Sequence, residues 1–170
     1  MKNNIMREIE IEKMILNCGG IEDKLERSEK LLKMITGRKI QKIKSRKRIP
    51  AFGISPGKES GCKVTIRNQE EIKSLLKKLF AAVSNRVSQR QITENNFSFG
   101  IEEYIEIPGL EYNREIGMLG LEISVVFQRK GKRVKLKKIK QGKYPKRQNV
   151  TKEEITDFLK KNFKLEVTKK

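Results

Sequence analysis

The apolar positions of this chain switch between a period of two and a period near 3.6, and the switches mark its elements. From Arg7 to Leu16 (REIEIEKMIL), Ile9 and Ile11 alternate with acids before Met14, Ile15 and Leu16 run together, which predicts a strand. Asn17, Cys18, Gly19 and Gly20 follow, and consecutive glycines predict a break and a turn. Between about Glu22 and Ile35 the period lengthens. Leu25, Ser28, Leu32 and Ile35 share one helical face with Leu31 beside it, and Thr36-Gly37 supplies a C-terminal cap. Cys62, Val64 and Ile66 alternate with Lys63, Thr65 and Arg67, a strand with one apolar and one basic face. The clearest helix starts at an Asn68 N-cap. Glu70 and Glu71 occupy its first turn, and Ile72, Leu75, Leu76, Leu79, Phe80 and Val83 keep helical spacing. The polar stretch SNRVSQRQITENN behind it predicts a fraying helix end and an exposed loop carrying Arg86 and Arg90.

β character returns at Asn96, where Phe97, Phe99 and Ile101 alternate with Ser98 and Gly100. Ile105 and Ile107 lead to a Pro108-Gly109 break, and turn residues fill Leu110 to Gly120. Leu121, Ile123, Val125 and Phe127 form the cleanest strand of the second half. Thr151 and Glu154 are spaced as a capping box ahead of the stripe Ile155, Phe158, Leu159 and Phe163, and a tail closes on Lys169 and Lys170. Strands grouped around isolated helices predict a single α+β domain with an antiparallel sheet, not a parallel doubly wound one. Its parts are a strand–helix–strand half (7–67), a helix, loop and sheet segment (68–127), and a basic extension with a C-terminal helix (128–170).

Charge changes this picture from fold to partner. The chain has 170 residues and a formal net charge of +19, with a pI near 10.0. Such a field attracts polyanions and opposes the compact state by self-repulsion. The cations are clustered. Arg38, Lys39, Lys42, Lys44, Arg46, Lys47 and Arg48 follow one another with no acid among them, ahead of a hinge of Pro50, Gly53, Pro56 and Gly57 that holds Phe52 and Ile54. Between Glu122 and Glu153 there is again no acid, and Arg129 to Arg147 forms a second basic run. Val134, Leu136 and Ile139 are too sparse there for a core helix, which predicts an extension poorly ordered without a partner.

Other chemistry is poorly served. No apolar run approaches the roughly 20 residues of a membrane span, and no signal-peptide pattern follows Met1. Cys18 and Cys62 are the only cysteines and histidine is absent, so no zinc site is written in the sequence and buried, reduced thiols are expected. Lacking histidine, the chain also lacks the usual general base and most hydrolytic triads. Glu102 and Glu103, as neighbours on a strand, point to opposite faces and would not converge on one bond. No metal, cofactor or enzymatic activity is expected. RNA binding is the positive case: Lys and Arg clusters neutralise phosphates, Lys63, Thr65 and Arg67 share a strand able to touch ribose or phosphate oxygens, and a rigid sheet face suits folded RNA. Phe52 either stacks on a base or anchors the hinge into the core. A DNA-architectural protein and a metal-dependent nuclease are the rival readings.

Several strings then carry a family likeness. MRE at Met6–Glu8, LN at Leu16-Asn17, TGRK at Thr36–Lys39, SRKRIPAFGI around Phe52, GCKVTIR at Gly61–Arg67, the run from Asn96 to Gly131 and the VTKEE of the last helix resemble, in order, the L-five family of large-subunit ribosomal proteins, called L-eleven in eukaryotes. The resemblance implies an antiparallel sheet with helices packed on one face. It implies a structural protein that holds 5S rRNA against large-subunit rRNA in the central protuberance, beside other large-subunit proteins that include the second 5S-binding protein, with no homo-oligomer. It places the region matching Thr36 to Arg67 in the RNA-binding part, and with the charge clusters the residues expected at RNA are Asn17, Thr36, Arg38, Lys39, Lys44, Arg46, Lys47, Arg48, Phe52, Lys58, Lys63, Thr65 and Arg67, with Arg129, Lys130, Lys132, Arg133, Lys135, Lys137 and Lys138 from the extension. The loop with Arg86 and Arg90 would face peptidyl-tRNA. Cytoplasmic ribosomes, with a nucleolar stage in a eukaryote, are the implied location. The extension and VTKEE helix match the archaeal and eukaryotic branch and exclude the bacterial form; the lysine- and isoleucine-rich composition leans to the eukaryotic side. Three departures stand out: Gly19, Gly20, Ile21, Glu22 and Asp23 replace the usual GVGES, the loop before Asn96 is shorter, and no histidine stands near Asn149.

Overall fold

The structure, a computed structural model, describes residues 4–168, so the Lys169-Lys170 tail lies outside the described residues. In chain order its elements are β1 (Ile9–Gly19), α1 (Asp23–Thr36), β2 (Gln41–Lys44), β3 (Glu59–Ile66), α2 (Gln69–Ala82), β4 (Arg86–Ser88), β5 (Ile92–Thr93), β6 (Asn96–Ile101), β7 (Leu121–Arg129), α3 (Arg133–Leu136), α4 (Lys152–Phe163) and β8 (Glu166–Thr168). Six strands form one sheet in the order β2-β3-β1-β7-β6-β5, and every neighbouring pair is antiparallel.

Period-two alternation makes this sheet two-faced. Met14, Leu16 and Cys18 of β1, Val64 and Ile66 of β3, Ile123 and Val125 of β7, and Phe97 and Phe99 of β6 are buried. Over them lie Leu25, Leu31 and Leu32 of α1, Ile72, Leu76, Leu79 and Phe80 of α2, and Ile155 and Leu159 of α4. Phe80 ties these layers together, with its ring 5.2 Å from both Phe99 of β6 and Phe163 of α4. The alternate residues Asn17, Lys63, Thr65, Ser98 and Ser124 stay partly exposed on the other face. The expected antiparallel α+β sheet with helices on one face is the observed fold.

Caps set where the helices begin and end. Gly37 takes φ +62° and its N–H donates to the Lys33 carbonyl at 2.8 Å, closing α1. Asn68 accepts from the Glu70 N–H at the start of α2. At α4 the capping box is complete: the Glu154 carboxylate accepts from the Thr151 N–H at 3.0 Å, and the Thr151 hydroxyl accepts from the Glu154 N–H at 3.4 Å. Thr151→Ala should therefore lower stability by about 1 kcal/mol, read as a reduced urea midpoint at unchanged m-value.

Three expectations need correction. First, the chain does not break at Asn17–Gly20. β1 continues to Gly19, and β3 begins at Glu59, three residues before Cys62, so that Asn17, Cys18 and Gly19 pair with Lys63, Cys62 and Gly61. The glycines serve close approach: a Cβ on Gly61 would sit 3.1 Å from the Cys18 carbonyl oxygen, and one on Gly20 would meet the backbone of Lys24 at 2.9 Å. Second, the stretch after α2 is not an exposed loop. Val87 and Ile92 are buried, β5 joins the sheet edge, and β4 pairs in parallel with β8. Third, the residues after α4 include that partner strand, β8. In the basic extension, α3 is a single helical turn, and Val134, Leu136 and Ile139 are exposed.

Candidate nucleic-acid interface

The interface is assembled from two surfaces that meet at β3. The first is the open face of the sheet. Register places side chains in rows across the strands: Gln41, Lys63, Asn17, Glu122 and Gly100 lie opposite one another in turn across β2, β3, β1, β7 and β6. Thr65, Ile15, Ser124 and Ser98 form the next row. Apart from Ile15 these side chains are polar or, at Gly100, absent, so the face is rich in hydrogen-bonding groups. Asn17 Nδ2 donates to Glu122 Oε2 at 3.3 Å.

The second surface is the β2–β3 hairpin. Its arms are held by Ser45 N–H to the Lys58 carbonyl, Gly57 N–H to the Ser45 carbonyl, and Ile49 N–H to the Ile54 carbonyl, each 2.9 Å. At the tip, Pro50–Phe52 make one 3-10 turn that Gly53 ends at φ +62°. This turn points the Phe52 ring outward, 70% exposed, which removes the alternative in which Phe52 anchors the hinge in the core. Lys44, Arg46, Lys47 and Arg48 are exposed along the same hairpin and make no intrachain ion pair among the described residues. Lys39, Lys63 and Arg67 are likewise unpaired, so their charge remains available to an outside anion.

Other expected RNA contacts are engaged within the chain. Arg38 makes a two-pronged pair with Glu71 of α2, which also lifts the guanidinium pKa through that hydrogen bond and charge. The Thr36 hydroxyl donates to the Leu32 carbonyl at 2.7 Å and accepts from the Arg38 N–H. Lys58 pairs with Glu22 at 2.8 Å. At the head of the extension, Arg129 is nearly buried against Glu154, Lys130 lies 3.3 Å from Glu8 and 3.2 Å from Glu10, and Lys132 lies 2.7 Å from Glu12. Burial pushes the Glu154 carboxyl up, yet the Thr151 N–H and the Arg129 guanidinium outweigh it and hold the group below its ordinary value. Long-range pairing of β1 with β7 brings Glu8, Glu10 and Glu12 to Lys130 and Lys132, while α4 supplies the partner of Arg129. Arg133, Lys135, Lys137 and Lys138, beyond these pairs, are exposed and unpaired among the described residues. Arg86 sits 3.4 Å from Glu166, and both Arg86 and Arg90 are exposed.

Catalytic chemistry finds little footing among the described residues. Cys18 and Cys62 are buried free thiols; burial first, and then the neighbouring thiol, raises Cys18 to about 12, and burial followed by the Glu29 charge raises Cys62 to about 11. Neither is a nucleophile at neutral pH. No group of three or more metal-ligating side chains occurs among the described residues, and no described helix is long and apolar enough to cross a membrane. Glu102 and Glu103 lie beyond the end of β6 and are exposed.

Sequence reasoning missed Gln41, Ser98, Glu122 and Ser124 as members of the open face. The signal was present as the polar halves of the alternating stretches, but only the strand order brings those halves together.

Two family models divide the chain between them: ribosomal protein L5 matches residues 4–54, and the C-terminal part of the ribosomal L5 family matches residues 59–158. The large ribosomal subunit protein uL5 of Nanoarchaeum equitans is 40% identical over 164 residues, covering 95% of this chain and 97% of its own. Those of Methanosphaera stadtmanae and Sulfolobus acidocaldarius are 36% and 37% identical, covering 96% and 98% of this chain and 99% and 94% of their own. All three relatives are archaeal. With matches that run in order from residue 4 to residue 158 and relatives aligned nearly end to end, the chain belongs to the ribosomal protein L5 family.

Proposed function

We propose that this protein is a structural constituent of the large ribosomal subunit that binds 5S rRNA and holds it against large-subunit rRNA in the central protuberance. The observation that carries the reading is the juxtaposition of an acid-free cationic hairpin, Lys44 to Lys58, with the polar face of the sheet it is hydrogen-bonded into. Cations supply phosphate affinity without sequence preference. The rigid face, with Asn17, Lys63 and Thr65 in fixed register, supplies the shape and hydrogen bonds that distinguish folded RNA. The exposed cations from Arg133 to Lys138 extend the contact to a second RNA segment. Other large-subunit proteins, among them the second 5S-binding protein, complete the assembly, and the exposed Arg86 and Arg90 would face peptidyl-tRNA. The protein then works in ribosomes in the cytoplasm.

Co-sedimentation tests the assembly directly: the protein should stay with large subunits through a high-salt wash, and release at modest salt would sink the reading. At residue level, Phe52→Ala should weaken 5S rRNA binding by ten- to a hundredfold, the usual loss for one base–aromatic stack. Because the ring is exposed, the thermal midpoint should not move, and an unchanged affinity would show that the hairpin tip does not stack on a base.

A further inference from the structure

Glu122 is out of place on a surface meant for phosphates. It stands in the middle of the open face, on β7, between Asn17 of β1 and Gly100 of β6. Among the described residues of the two rows set out above, it is the one acid. It is exposed and has no ion pair; Lys63, in the same row, is two strands away, roughly 10 Å at the spacing of neighbouring strands. What it does hold is the Asn17 amide, through Nδ2 to Oε2 at 3.3 Å. A carboxylate only accepts hydrogen bonds, so this contact selects the amide orientation in which Nδ2 faces β7 and the Asn17 carbonyl oxygen turns away from it. Gly100 on the far side leaves the carboxylate uncrowded: a Cβ built there would meet nothing closer than the Leu121 carbonyl oxygen at 4.0 Å.

Resting on the reading of this face as an RNA interface, we propose that Glu122 is its selectivity residue: it excludes phosphate from the centre of the sheet and admits a hydrogen-bond donor of the RNA, while orienting Asn17 beside it. The discrimination is one of sign. Phosphates are drawn toward the cations of the hairpin and of Arg67, and a phosphate over the sheet centre would meet a second negative charge with no counterion. A base amino or imino edge, or a ribose 2′-hydroxyl, meets instead an acceptor with free lone pairs. Polyanions are thereby steered to the rim, and only an RNA whose fold brings a donor to the centre while its phosphates lie on the rim fits both. Selectivity here comes from an unfavourable contact for the wrong partner as much as from a favourable one for the right partner.

The test measures the affinities of the wild-type chain and of Glu122→Gln for 5S rRNA, for a generic RNA duplex of equal length, and for a DNA copy of the 5S sequence. Gln keeps an acceptor for Asn17 and nearly the same shape, so its thermal midpoint should match wild type, as a folding control. Wild type should prefer 5S rRNA; if it does not, the RNA reading of this face fails, and with it the ground of the proposal. Given that preference, Glu122→Gln should bind the generic duplex more tightly and 5S rRNA more weakly, reducing the ratio about tenfold, as expected for one hydrogen bond to a charged group. If the donor is a ribose hydroxyl, discrimination against the DNA copy shrinks as well; if it is a base edge, that discrimination holds. A ratio of 5S rRNA to generic duplex that stays at the wild-type value would overturn the proposal while leaving the general RNA interface intact.

Discussion

Reversing Arg46, Lys47 and Arg48 together to glutamate should weaken 5S rRNA binding by on the order of 10²- to 10³-fold near physiological salt. The three side chains are exposed, unpaired within the described chain and set on a hairpin with its own backbone hydrogen bonds. Reversal therefore removes phosphate contacts and adds repulsion without removing anything the fold needs. Each lost phosphate contact takes roughly 0.7–0.9 from the slope of log affinity against log salt, so the variant's slope should be shallower by about 2–3. The slope separates this account from a trivial loss of folding, which would lower the binding-competent fraction at every salt concentration and leave the slope unchanged. A slope and an affinity both equal to those of wild type would show that the hairpin faces away from the RNA.

Phe80→Ala should cost about 3–5 kcal/mol of stability, a large part of the 5–15 kcal/mol that a domain of this kind has to lose. Phe80 is 1% exposed and contacts Phe97, Phe99 and Phe163, so truncation opens a void where α2, β6 and α4 converge. The effect should be felt sharply because a net charge of +19 already opposes compaction. Binding only the folded state, RNA should restore part of the loss by mass action, raising the variant's midpoint with 5S rRNA concentration. Urea unfolding with and without RNA measures both. A loss below 1 kcal/mol would mean that the three elements can close around the gap and that Phe80 is not their common anchor.

Local signals carried much of this fold. α2 was legible because Ile72, Leu76, Leu79 and Phe80 repeat at helical spacing behind an Asn68 cap, and β7 because Leu121, Ile123, Val125 and Phe127 fall at every second position. What stayed hidden is non-local. β2 reads QKIK, with one apolar residue in four, and is a strand only because β3 offers it an edge. β4 and β8 are three residues each and pair across some eighty residues of chain, which no window of sequence can sense. Glycines 19 and 20 looked like punctuation, yet Gly20, like Gly61, is where backbones come together.

The interface divides in the same way. The cationic cluster from Lys44 to Arg48 was readable beside its Pro/Gly hinge, whereas the outward direction of the Phe52 ring was not. Composition could not distinguish these from Arg38, Arg129, Lys130 and Lys132, whose charges are taken up by Glu71, Glu154, Glu8, Glu10 and Glu12. A basic residue's availability depends on which acid the fold sets beside it. Glu122 is the converse, an acid left unpaired on a cationic protein.

The central claim is that this surface recognises 5S rRNA and not polyanions in general. An equilibrium competition at 150 mM salt tests it most directly, with labelled 5S rRNA bound to the protein and challenged by duplex DNA of equal length. A hundredfold excess of DNA should leave most of the complex intact, whereas displacement at equimolar DNA would contradict 5S rRNA recognition.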